Sequence, residues 1–117
     1  MSIQISFSKL EKEFMPQFRE RITTSEDIVD VQKIFSYTIK EMLQKAFEKE
    51  GITINEENIA LTSSAPYYTI TINNHSINEL WNTSDLKDIL QRFAEVAHKR
   101  YIHLKKHLAK TKMKIRR

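Results

Sequence analysis

Gly51 is the only glycine in 117 residues, and with just two prolines beside it the chain has few places to turn sharply. Glycine supplies positive φ at tight turns and helix ends, and proline stops a helix. Their scarcity predicts long regular elements joined by few tight turns, with no glycine-rich linker. It also removes whole chemistries: the phosphate-cradling P-loop, the dinucleotide fingerprint and glycine-rich oxyanion turns all need more glycine than this.

The apolar spacing says what those elements are. "SIQISF" alternates polar residues with Ile3, Ile5 and Phe7, the period of a half-buried strand. "SKLE" then reads as a capping box between Ser8 and Glu11. Leu10, Phe14, Phe18 and Ile22 follow at steps of four, a helical stripe in which Pro16 predicts a kink or a break. "TSED" offers Thr24 as the next cap, and Ile28, Val31, Phe35, Ile39, Met42 and Ala46 hold one face of a long helix that ends at Gly51. Ile59 and Leu61, then Tyr68, Ile70 and Ile72, alternate as strands separated by "SSAP". Asn73-Asn74 fits a two-residue hairpin turn leading to a short edge strand at 75–78. Ser84 caps a last helix whose stripe is Leu86, Leu90, Phe93, Ala97, Tyr101, Leu104 and Leu108.

The fold expected is α+β: a small antiparallel sheet of two to four strands packed against two long amphipathic helices, with a shorter kinked helix at the N-terminus. Residues 1–108 form a single domain, and 109–117, where the stripe lapses, form a basic, flexible tail.

Charge is segregated along the chain. Residues 1–97 hold ten lysines and arginines against fifteen acids, a net −5. Residues 98–117 hold nine and no acid, so a total of +4 hides an acidic body with a basic end. Such segregation points to an anionic partner. There is no cysteine, which excludes disulfides, thiolate metal sites and cysteine nucleophiles. "MSIQISFSKL" lacks the basic start and apolar core of a secretory signal, and apolar runs are far too short to span a membrane, so a cytoplasmic location is expected.

At about 100° per residue, Lys99, His103, Lys106 and Lys110 fall in one narrow sector of the last helix, opposite Leu90, Ala97, Tyr101 and Leu104. They span about 16 Å at 1.5 Å per residue, enough to pass several phosphates. Arg100 and Lys105 flank the row, and Lys112, Lys114, Arg116 and Arg117 extend it. Cations near a helix C-terminus also favour the macrodipole with no ligand present, and lysine is the ordinary solvent-facing residue of such a helix. The absence of acids over twenty residues and the opposite charge of the body favour the binding reading. Tyr101 is the sole aromatic in this stretch and belongs to the apolar stripe, so phosphate contacts are expected rather than base stacking.

Other clusters are poorer. "EVAH" has Glu-x-x-His spacing, but Glu95 falls opposite the apolar stripe and no second copy exists. His103 and His107, four apart, lack a third ligand in the sequence. Ser63, Ser64 and Ser76 are turn-type serines, His75 and Ser76 would point to opposite faces of a strand, and Glu56 and Glu57 look solvated. Trp81 reads as a staple onto the last helix or an exposed anchor. No catalytic residue, metal, cofactor or small-molecule substrate is expected.

The order helix, strands, helix resembles the double-stranded RNA-binding domain. That family's lysine cluster opens its second helix, where this chain has the acidic "NTSDLKDIL". One glycine cannot build the Gly-x-x-Gly loop of the KH fold, and "YYTITIN" does not match the aromatic strands of an RNA-recognition motif. No family is assigned. The expected function is a small non-enzymatic module that engages an acidic partner, most plausibly nucleic acid, through its basic C-terminal helix and tail. The alternative is a protein-interaction or homodimeric subunit whose basic end only solvates or meets an acidic protein surface. Val29, Ile34 and Phe47 lie off the main stripe and hint at a wider apolar face.

Overall fold

The apolar stripes predict where this chain is helical, and a computed structural model places helices on them. It describes residues 6–48, 53–64, 66–71 and 75–115, with side chains in the last two helices described at 78, 79 and 81–106. The elements run α1 (Ser8–Thr24), α2 (Ile28–Ala46), a 3₁₀ turn (Glu56–Asn58), β1 (Ile59–Leu61), β2 (Tyr68–Ile70), α3 (His75–Thr83) and α4 (Leu86–Ile115). The result is a mostly helical α+β domain with one two-stranded antiparallel sheet.

Three helices make the core. Phe7 sits by Asp85, Glu11 by Arg92 and Ser25 by Arg100, in the same order along both helices, so α1 runs parallel to α4. Lys45 reaches Glu13 at 2.6 Å, which brings the end of α2 beside the start of α1 and makes α2 antiparallel to both. Phe18 of α1 touches Phe35 of α2 edge-on at 6.4 Å and Phe93 of α4 at 5.0 Å. All three rings are buried, as are Val31, Ile39, Met42, Leu86, Ile89 and Leu90. Each such side chain contributes about 1.5–3 kcal/mol of burial.

α4 fastens both ends of α1 with the charges that the α1 dipole favours. Asp85 accepts from the Phe7 amide at 2.8 Å and from the Ser6 hydroxyl at 2.9 Å, placing a carboxylate at the α1 N-terminus. Arg100 Nη2 donates to Ser25 O at 2.6 Å, placing a cation at its C-terminus. The expected Ser8–Glu11 capping box does not form. The cap residue is Phe7, with no side-chain cap bond, and Glu11 instead takes a bidentate pair from Arg92. That hydrogen bond raises the Arg92 pKa further above its ordinary value.

α1 also passes through Pro16 without a break. Pro16 is exposed, so the Lys12 carbonyl that loses its usual donor there can be hydrated. α1 runs on to Thr24, so α2 is capped not by Thr24 but by Asp27, whose side chain accepts from Asp30 N at 2.8 Å. α2 stops at Ala46 rather than at Gly51, with Phe47 as its cap and wholly buried. Gly51, residues 2–5 of the expected "SIQISF" strand and the Asn73-Asn74 turn lie outside the described residues, while Ser6 and Phe7, the last two of that stretch, form no strand and lead into α1.

The sheet sits against α2. Ile59 pairs with Ile70 and Leu61 with Tyr68. On the other edge of β1, Ser36 donates to Ile59 O at 2.9 Å and Gln32 Oε1 accepts from Leu61 N at 3.3 Å. Gln32 Nε2 closes the ring by donating to Ser36 Oγ at 3.4 Å. Two polar side chains of α2 thus satisfy an edge that would otherwise be buried unpaired. In the β1–β2 loop Tyr67 has φ 73°, costly for a bulky residue. Its amide donates to Ser64 O at 2.8 Å, its carbonyl accepts from Thr62 N at 2.9 Å, and its ring stacks on His98 at 4.3 Å.

The short strand expected at 75–78 is instead the first turn of α3. Within α3, Trp81 lies edge-on to Tyr68 at 6.2 Å, partly buried against the core. Burial first and the Asp88 carboxylate second push the Tyr68 phenol up to about 12. The unfolded chain ionises this phenol near pH 10 while the folded chain keeps it neutral, so the unfolded state binds fewer protons and stability falls as pH rises. The contribution is whole below pH ~10 and fades between ~10 and ~12. Tyr68→Phe is expected to flatten the loss of stability across that window, measured by urea unfolding at stepped pH.

Candidate nucleic-acid interface

The basic row predicted on the last helix rests on a described backbone: α4 is helical through Ile115, past Leu108, after which a flexible tail was expected. At 30 residues it is about 45 Å long, and the molecule measures 66 × 26 × 22 Å. Leu86, Ile89, Leu90, Phe93, Ala94, Ala97 and Leu104 bury one face, which turns the opposite face outward. Lys99, His103, Lys105 and Lys106 are all exposed there or on the flank. Lys110, Lys112 and Lys114 continue along the same helix, where side chains are not described. Arg116 and Arg117 lie outside the described residues.

Arg100 departs from the expected set. Its guanidinium turns back to the α1 C-terminus, where it holds Ser25 O, and its Nε is buried with no partner among the described residues. A side chain so engaged fastens the fold rather than reaching an external phosphate.

Tertiary packing adds cations from a second helix to this row. Because α1 lies parallel to α4, the two helices bound an open groove of about 730 Å³. Lys12 and Arg19 of α1 line it with Arg92 and Lys99 of α4, against the acids Glu11 and Glu95. Glu11 is already paired with Arg92, and Glu95 accepts from Gln91 at 3.2 Å. Lys12, Arg19 and Lys99 remain exposed and make no ion pair among the described residues. The seven-residue spacing of Lys12 and Arg19 on α1 was a legible hint, but only the α1–α4 contact shows which helix they accompany.

No group of three side chains suited to a metal occurs among the described residues. His98 stacks on Tyr67, and Glu95 faces solvent. No described helix is long and apolar enough to cross a membrane. No protein-family model matches the chain, and no curated protein or solved structure matches it either.

Proposed function

We propose that this chain is a non-enzymatic binding module that engages the phosphate backbone of nucleic acid. The supporting observation is the exposed row Lys99, His103, Lys106 on α4, joined at Lys99 to the groove that Lys12 and Arg19 line from α1. Phosphates track the groove and then the helix, and the remaining cations toward residue 117 neutralise further charge. The contacts carry no base reading, so affinity is tolerant of sequence and governed by counterion release.

Fluorescence anisotropy of a labelled 20-base-pair duplex tests this. Six phosphate contacts predict a slope of log K against log salt of about −5, and a loss of roughly a thousandfold between about 50 and 200 mM salt. Two duplexes of unrelated sequence are expected to agree within about threefold. Failure to bind either duplex at the lower salt contradicts the reading.

A further inference from the structure

A second concavity, of about 500 Å³, lies between the first turn of α2, the β1–β2 loop and the middle of α4. It opens on a different face of α4 from Lys99, since His98 and Tyr101 line it. Ile28, Val29, Leu61 and Tyr101 make apolar walls. Val29 is 59% exposed and, with Tyr37, one of the two large hydrophobic side chains left in solvent among the described residues. An apolar hollow of this volume with a few polar groups at its margin is the usual form of a small-molecule site.

The charges at its margin have one sign. Among the described residues, Lys33 is the formally charged side chain in the lining and no carboxylate lines the hollow. Lys105, exposed, follows Tyr101 by one turn on the same face of α4. An occupant therefore needs an apolar body and an anionic end. An extended peptide fits less well, because the β1 edge that faces α2 already spends its outward groups on Gln32 and Ser36. An alkyl chain needs no backbone partners. The wall formed by the loop is preformed: the hydrogen bonds of Tyr67 and its stack on His98 hold the loop in its strained turn.

We propose that this groove binds an amphipathic carboxylate of the fatty-acid type, with the alkyl chain on Ile28, Val29, Leu61 and Tyr101 and the head group toward Lys33. Apart from Lys105, which flanks both, the site is separate from the polyanion reading, since neither Lys12, Arg19, Lys99 nor Lys106 lines it.

The test is titration of the full chain with sodium decanoate and, separately, 1-decanol, followed by amide chemical shifts. Saturable shifts are expected at Val29, Lys33, Leu61 and Tyr101 with either probe. Lys33→Glu is expected to weaken decanoate by about fivefold or more and leave decanol within about twofold, because only one probe carries the charge. Val29→Asp, at an exposed position that leaves the core intact, is expected to remove both. Shifts that do not saturate, or a Lys33→Glu effect equal on both probes, overturn the proposal. So does an acidic peptide that occupies the groove where decanoate fails, or groove shifts that follow protein concentration alone and so report a second copy.

Discussion

Lys99→Glu combined with Lys106→Glu is expected to weaken duplex binding by about tenfold to a hundredfold and to reduce the salt slope by about two units. Each cation that leaves a phosphate removes about 0.9 from the slope, and reversal adds repulsion on top of the lost contact. Both side chains are exposed, so folding stability should change by no more than about 0.5 kcal/mol. That pairing of effects separates a binding face from a solvated one. If lysines 99 and 106 serve only the α4 dipole and solubility, the double variant shifts neither affinity nor slope. Arg100→Gln makes the contrast, because its guanidinium is committed to Ser25. It is expected to cost stability while leaving the slope nearly untouched.

The second large effect is in the core. Phe18→Ala is expected to lower the unfolding free energy by about 3–5 kcal/mol, read from the urea midpoint with an unchanged m-value. Phe18 is 1% exposed and is the ring that meets both Phe35 and Phe93, so its removal leaves a void bounded by all three long helices. A domain of this size has only about 5–15 kcal/mol in total, so the variant should be close to unfolded at 37 °C. A loss below about 1 kcal/mol would mean that α1 is not part of the cooperative core.

These two variants mark the boundary of what the chain reveals before it is folded. The stripe from Val31 to Met42 and the one from Leu86 to Leu104, with Tyr101 only half-buried, leave water as their spacing requires, because a periodic apolar face has one way to do so. Helix ends were harder. "TTSED" offers several residues able to cap, and the choice of Asp27 follows from α1 extending to Thr24, which a Leu-Phe-Phe-Ile stripe ending at Ile22 does not announce. Glu11 matched a local capping pattern, yet a guanidinium from 81 residues away took it. α3 differs from the strand expected at 75–78 because "HSIN" follows a strand pattern and continues it at period two over so short a stretch. Ile77, Leu80 and Trp81 carry helical spacing that a longer window would have weighed.

The candidate site divides in the same way. The row on α4 needed only the helical period, so Lys99 and Lys106 were legible. Lys12 and Arg19 join it only through the parallel contact of α1 with α4, which Phe18 on Phe93 and the bonds of Asp85, Arg92 and Arg100 hold in place. The stacking of Tyr67 on His98, and hence the groove beside it, is likewise a product of tertiary structure.

The proposed function puts the basic end of the chain in contact with phosphate. Its most direct test replaces Lys110, Lys112, Lys114, Arg116 and Arg117 with glutamine in the full chain, since glutamine keeps helix propensity while removing charge. The slope of log K against log salt for a labelled duplex is then measured beside that of the unaltered protein. Phosphate contact by this segment predicts a slope shallower by about two units and weaker binding at every salt concentration. Superimposable slopes and affinities would contradict it.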